Sequence, residues 1–238
     1  MPPKSVKPGV FFDPRQELPR GRHAQAPDEV IAVQRERLMV AFTELMADDG
    51  YFRVRVGDIA KRAGVSLSAF YNAFLDKEQC AFAGYDRFIE ILLRRVGEGL
   101  GSSDDWGGFV TQALEGYLGT LQADNVVSKA YQLEMDALGA DSRSRRYSSL
   151  DGFARVLYDA QREMSPRDRR LHHQPLEVHR AIVYAVRQLA CDLIDSEDEP
   201  DLLAMVPVMR EWIVAGAYGP DQTEQRESLP GGRPHEDL

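Results

Sequence analysis

The chain has 238 residues, a formal net charge of -9 and 43% apolar residues. This suits one large helical domain, or a small domain joined to a larger one, with apolar sequence enough for a sizeable core. The negative charge excludes a protein that coats nucleic acid without regard to sequence, but not a site-specific DNA binder, for which the placement of cations decides. No run of about 18 apolar residues occurs, so neither a membrane-spanning helix nor a membrane partner is expected. The Pro-interrupted start at Met1-Pro2-Pro3-Lys4 lacks the apolar stretch of a signal peptide. Cys80 and Cys191 have neither disulfide-framework nor zinc spacing. The expected location is cytoplasmic.

In chain order, residues 1–27 contain six prolines with Gly9 and Gly21, and carry Lys4, Lys7, Arg15, Arg20 and Arg22 against Asp13 and Glu17. Such spacing denies helix and strand alike, and predicts a disordered, modestly basic arm. Leu38, Ala41, Phe42 and Leu45 then fall at i, i+3, i+4 and i+7, one face of a helix ending near Asp49-Gly50. Arg53, Arg55, Lys61 and Arg62 follow against Asp58 alone, either a solvated helix face or a cationic surface for phosphate.

Val56 to Lys77 is the informative stretch. Ile59, Ala60 and Ala63 give a short apolar face, and Gly64 can take the left-handed conformation that ends a helix abruptly. Val65 plugs the corner, Ser66 is a good N-cap, and Phe70 and Phe74 at i and i+4 pin a second helix to the core. Two short helices about a Gly turn make a helix-turn-helix, whose second helix enters the DNA major groove. A long helix is predicted from Asp76, with Gln79 completing a capping-box pattern and Phe82, Tyr85, Ile89, Leu92 and Val96 as its buried stripe. It ends at Gly97, Gly99 and Gly101. Further helices are predicted at about 105–123, 125–138, 142–163, 176–195 and 200–217, and a polar, acidic, disordered tail at 219–238. Strand signals are too sparse for a sheet, so the predicted fold is all-α.

From about Ile31 to Phe88 the sequence resembles the DNA-binding domain of the TetR (tetracycline repressor) family. A long first helix precedes an Ile-Ala-x-x-Ala-Gly-Val-Ser turn, and an aromatic-rich recognition helix ends in Phe74-Leu75-Asp76-Lys77-Glu78. The resemblance implies a helix-turn-helix domain over 28–75 and a larger helical ligand-binding and dimerisation domain over 76–218. By it, Ser66, Leu67, Ser68 and Ala69 face base edges, Asn72 follows them, and Tyr71 and Lys77 reach phosphates of a palindromic double-stranded operator. Lys77 would stand at a helix N-terminus, where dipole and ammonium both favour an anion. The pattern departs from the family at Arg55, which replaces a Ser or Thr cap and suits a phosphate contact instead. It departs again at Leu67 and Ala69, which leave few bidentate base readers and shift readout toward a thymine methyl and DNA shape.

The C-terminal region is expected to bind a small-molecule effector and to form a homodimer. Its penultimate helix carries two apolar stripes, Val178, Ile182, Ala185 and Leu189, and Val183, Val186, Ala190 and Ile194. The last carries Leu202, Val206, Met209 and Ile213, and Met205, Val208 and Trp212. Two stripes on one helix call for two partners. Ile182, Val183, Val186, Ala190, Met209 and Ile213 are therefore the expected dimer interface, with full burial in one core as the alternative. Trp106, Phe109, Tyr117, Tyr131, Met135, Phe153 and Tyr158 are the expected ligand pocket, with ordinary core as the alternative. Arg143, Arg145 and Arg146 read as a solvated helix start, and His172, His173 and His179 lack metal-ligand spacing. No catalytic constellation, metal site or cofactor motif appears. The reading is a non-enzymatic, ligand-responsive repressor; the alternative is a helical interaction protein of the same fold that no longer binds specific DNA.

Overall fold

In a computed structural model, the described residues are 5–13, 27–98 and 103–218. The expected tail at 219–238 and residues 1–4 and 14–26 of the expected arm lie outside them. The helices are α1 (Pro27–Asp49), α2 (Val56–Ala63), α3 (Leu67–Ala73), α4 (Lys77–Glu98), α5 (Trp106–Ala123), α6 (Asn125–Gln132), α7 (Ala140–Met164), α8 (Leu176–Ser196) and α9 (Val206–Ala217). Short 3-10 turns at Glu134–Leu138 and Leu202–Met205 complete the segments expected at 125–138 and 200–217. The fold is all-α, and the described residues form only isolated bridges, Pro8 with Phe12 and Leu171 with Tyr218.

Local chemistry sets the boundaries. The Asp76 carboxylate accepts the Gln79 N–H at 2.8 Å while the Gln79 side chain accepts the Leu75 N–H, which starts α4 at Lys77. Asp105 and Asp124 cap α5 and α6 in the same way. Pro207 stands in the first turn of α9, where a missing N–H costs nothing. Leu38, Phe42 and Met46 of α1 are fully buried, and α1 packs on α2, α3, α4 and α6, so it belongs at once to the N-terminal end and to the larger body.

The N-terminal segment corrects the sequence reading. Residues 5–13 are not a free arm: Val6 is buried, and Phe11 and Phe12 are 1% exposed. Phe11 packs on Phe88 of α4 with ring centroids 5.0 Å apart. Three carboxylates from distant parts of the chain receive the segment's backbone. Glu44 accepts from Val6 N at 3.2 Å, Asp124 from Lys7 N at 2.7 Å, and Glu36 from Asp13 N at 2.9 Å. Arg87 of α4 donates to the Phe11 carbonyl at 2.8 Å and pairs with Glu36 at 2.6 Å, while Glu44 also holds Arg62 of α2 at 2.6 Å. The segment thus straps α1, α2, α4 and α6 together. Prolines and a glycine permit its turns, but the partners that bury it are invisible to local periodicity.

A strap built this way should be measurable in stability. Phe12→Ala should cost about 3–5 kcal/mol, as for other fully buried phenylalanines, and deleting residues 1–13 should lower the midpoint of chemical unfolding at least as far. An unchanged midpoint in the deletion would mean that the segment does not hold the body together.

Candidate DNA interface and effector cavity

The helix-turn-helix forms as its sequence dictates. Gly64 ends α2 with φ 65°, and its N–H reaches back to the Ala60 and Lys61 carbonyls. A side chain there would be strained, and its Cβ would lie 2.8 Å from the Arg37 guanidinium. Ser66 caps α3 by accepting the Ala69 N–H at 3.1 Å. Ile59, Ala60, Ala63, Phe70 and Phe74 are buried, so α3 is fixed from within. Arg35 of α1 steadies its C-terminus, donating to the Ala73 carbonyl with its guanidinium 4.2 Å over the Phe74 ring.

What α3 turns outward is the set singled out from sequence. Ser66, Leu67, Ser68, Tyr71 and Asn72 are exposed and Ala69 is half-buried. Leu67 and Tyr71 keep half of their surface in solvent, as only a residue reserved for a partner or tolerated on a surface does. Arg53, Arg55 and Lys61 are exposed on α2 and the turn before it. Arg55 makes no side-chain cap.

Lys77 is placed differently from expectation. Its ammonium turns inward, donating to the Tyr51 and Val54 carbonyls at 3.0 Å each and lying 4.2 Å over the Tyr51 ring. Burial lowers its pKa. Lys77 therefore pins the 51–54 turn to the start of α4, instead of standing free for a phosphate.

The expected aromatic pocket is taken apart by the structure. An apolar cavity of about 60 Å³ lies among Val96 of α4, Val110, Ala113, Leu114 and Tyr117 of α5, Leu150, Phe153 and Leu157 of α7, Ile182, Val183 and Val186 of α8, and Ile213 of α9. Of the expected set only Tyr117 and Phe153 line it. Their rings meet edge to face at 5.7 Å, and the Tyr117 hydroxyl accepts from Gln132 at 3.0 Å. Tyr131 is buried between α1 and α4, and Met135 is buried in the core from the 3-10 turn that follows α6. Trp106 and Phe109 stack on each other with ring centroids 5.5 Å apart, and Tyr158 packs on His173 and His179. The aliphatic lining was missed because isolated Val, Leu and Ala positions announce a cavity only once it is known which helices face each other.

The expected dimer residues are redistributed too. Ile182, Val183, Val186 and Ile213 line the cavity and Ala190 is buried in the same chain, because α8 packs along α7 and α9 along α5. Of the six, only Met209 lies on the open side. There, Leu189, Asp192 and Leu193 of α8 and Met205, Val208 and Met209 line a mostly apolar groove, with Trp212 exposed beside them. Arg145 and Arg146 are occupied by carboxylates of their own chain, Asp86 at 2.7 Å and Asp136.

Comparison with known proteins agrees with this geometry. Residues 38–83 match the family of bacterial regulatory proteins, tetR family. The HTH-type transcriptional activator FasR of Mycolicibacterium smegmatis is 29% identical over 100 residues, which are 42% of this chain and 44% of that protein. The chain thus matches less than half the length of that relative. Among solved structures, the fatty acid degradation regulator FadR from Bacillus halodurans superposes with a TM-score of 0.71 at 18% identity, covering 81% of this chain and 97% of that one. FadR from Bacillus subtilis in complex with stearoyl-CoA gives 0.68 at 19% identity over 76% and 97%. NalD, the secondary repressor of the MexAB-OprM multidrug efflux pump in Pseudomonas aeruginosa, gives 0.62 at 17% over 80% and 98%.

One group near the cavity has a readable pH signature. His179 is fully buried, with Nδ1 3.1 Å from the Pro175 carbonyl. Burial lowers its pKa, against the Pro175 bond and with a further push from His173. Unfolded, the same imidazole takes up a proton below its ordinary value of about 6.5, so the unfolded chain gains protons first and stability falls as pH drops through that range. The melting temperature should decline between about pH 7 and about pH 5, and His179→Phe should flatten that decline. Equal declines in both proteins would assign the effect to other groups.

Proposed function

From a TetR-type helix-turn-helix domain at residues 38–83, set in the fold of TetR-family regulators, we propose that the chain is a ligand-responsive transcriptional regulator. It binds a palindromic operator as a homodimer and is released when a small apolar molecule enters the cavity, which makes it a repressor. The exposed outer face of α3 on a fully buried inner face carries this reading: the helix is held rigidly and offers Ser66, Leu67, Ser68, Tyr71 and Asn72 to a groove. Arg55 and the Tyr71 hydroxyl take phosphates beside it. Lys77 serves the interface indirectly, by fixing the turn that carries Arg53 and Arg55. Leu67 and the half-buried Ala69 read a thymine methyl and groove shape.

The effector reading rests on the cavity and on what a ligand must do to it. Binding sites for drug-sized molecules run from about 300 Å³ upward, so an occupant of a cavity of about 60 Å³ has to part the helices around it. α4 contributes Val96 to that wall, and its other end is tied through Lys77 to the DNA-facing turn. Swelling the cavity tilts α4 and changes the spacing of two recognition helices that must meet half-sites about one helical turn apart. The ligand then favours, by its tighter binding, the conformation that does not fit the operator. The apolar surface of Leu189, Leu193, Met205, Val208, Met209 and Trp212 is proposed as the seam between subunits.

Selection of bound sequences from random duplex DNA should enrich an inverted repeat; a library returned without enrichment would favour the helical interaction protein instead. Arg55→Ala should weaken binding to all sequences alike and reduce the slope of log affinity against log salt by about 1. An unchanged slope removes Arg55 from the interface. Trp212→Glu should leave the fold intact but yield a monomer, because it sets a charge in the seam. Ile182→Glu should unfold the chain, because it buries that charge beside the cavity. A folded, dimeric Trp212→Glu protein would place the seam elsewhere.

A further inference from the structure

One helical turn from residues that line the apolar cavity, three buried polar side chains hold hydrogen-bonding atoms that no described residue satisfies. They are Nε1 of Trp106, Nε2 of His179 and the amide Nε2 of Gln161. Trp106 is 1% exposed, and the other two are fully buried. Each lies one helical turn beyond a residue that lines the cavity: Trp106 before Val110 on α5, His179 before Ile182 and Val183 on α8, Gln161 after Leu157 on α7. They share a neighbourhood. The Trp106 and His179 rings meet edge to face with centroids 6.4 Å apart. Gln161 accepts the Gln174 N–H at 2.8 Å, and the next residue, Pro175, gives its carbonyl to His179 Nδ1.

Buried polar atoms are nearly always paired, and a cluster of exceptions asks for the group that completes it. The roles here are fixed by chemistry. Nδ1 of the neutral His179 carries the proton, since it faces a carbonyl oxygen that can only accept, so Nε2 is left as an acceptor. The indole N–H and the amide NH₂ are donors. Two donors and one acceptor are the complement of a hydroxyl group, which gives one hydrogen bond and takes two. An ether, an ester or a carboxylate has no proton for His179, and an ammonium has no lone pair for Trp106 or Gln161.

We propose that Trp106, His179 and Gln161 form a polar subsite of the cavity, and that its ligand is an apolar molecule carrying a hydroxyl. The hydroxyl donates to His179 Nε2 and accepts from Trp106 Nε1 and Gln161 Nε2. The apolar body lies against the aliphatic wall. This rests on the reading of the cavity as the effector site, and it adds a chemical selectivity which the aliphatic lining by itself does not have: a site with unpaired polar groups rejects an analogue that cannot pair them.

The test uses the full chain with 1-hexanol and its isomer methyl pentyl ether, which match in formula and differ in the one proton. Calorimetric titration of the wild type should show the alcohol binding about tenfold more tightly, the scale of one hydrogen bond. The indole N–H resonance of Trp106, identified by its loss in Trp106→Phe, should shift with the alcohol and not with the ether. His179→Phe and Gln161→Met should each bring the two affinities together. If a variant does not fold, the wild-type comparison and the resonance still decide. Equal affinities in the wild type, or an indole resonance that the bound alcohol leaves unmoved because the cluster holds only water, would overturn the subsite. Operator release separates this from the regulator reading. An ether that binds as well as the alcohol and frees DNA sinks the subsite alone. An alcohol that binds selectively yet leaves DNA bound sinks the effector role alone. If neither isomer binds, both fall.

Discussion

One hydrogen bond deep in the molecule joins the helix-turn-helix end to the rest. The Tyr131 hydroxyl of α6 lies 2.8 Å from Oγ1 of Thr43 on α1. Thr43 has a single proton, and it goes to the Met39 carbonyl at 2.7 Å, so Tyr131 is the donor. Both residues are essentially without solvent contact, and burial raises the phenol pKa. The phenol reaches α1 only because Gly84 of α4 has no side chain: a Cβ there would lie 1.9 Å from the hydroxyl oxygen. A glycine inside a helix is unfavourable by roughly 0.5–1 kcal/mol relative to alanine, a cost smaller than losing a buried hydrogen bond together with the packing of a whole ring. Around this contact Tyr85 and Phe88 stack on Tyr131 from α4. The Tyr131 ring of α6 is thereby packed against both α1 and α4.

That packing bears on which motions remain. α1 is tied to α6 by the Tyr131–Thr43 bond and to α4 by the Arg87–Glu36 pair. The N-terminal strap braces the same joint from outside, through Glu44 to α2 and through Asp124 to α6. Such bracing favours transmission by rigid tilting over local bending, since a well-packed core switches between discrete arrangements more readily than it deforms. α4 is the lever. Val96 near its C-terminal end meets the cavity, and Lys77 at its first turn grips the carbonyls of residues 51 and 54.

How much of this was legible in the sequence follows from how local each signal is. The helix-turn-helix was readable because its determinants lie within a few residues of where they act: Gly64 for the left-handed turn, Ser66 for the cap, Phe70 and Phe74 for one buried face. The capping box at Asp76 and Gln79 was readable for the same reason. The strap was not, because prolines suppress any periodicity while the groups that bury it lie 23, 38 and 117 residues away. The inward turn of Lys77 depends on carbonyls presented by a neighbouring loop, which no spacing announces. Aromatic residues misled the search for a cavity, since in a helical core a large ring is the usual filler of space and the gap opens where Val, Ala and Leu meet. The last two helices do carry apolar residues on two faces, but not along the stripes that the spacing suggests. On each helix one stripe divides between the cavity and the open groove, Ile182 from Leu189 and Ile213 from Met209, because that division depends on which side α7 and α5 occupy.

That division has a mechanical meaning. On α8, Ile182, Val183 and Val186 face the cavity, while Leu189 and Leu193 face the open groove. On α9, Ile213 faces the cavity while Val208 and Met209 face the groove, and Trp212 next to Ile213 is exposed. Each helix is therefore a single wall between the effector cavity and the proposed seam, with about one helix diameter, roughly 10 Å, between the two surfaces. A side chain pushed outward in the cavity displaces the backbone that carries the seam, with no intermediate layer to absorb the motion. In a two-fold dimer the same displacement occurs on both sides of one axis, so the separation of the recognition helices changes by the sum of both. In the proposed dimer the cavity therefore has two routes to the recognition helices, through α4 within a subunit and through α8 and α9 between subunits.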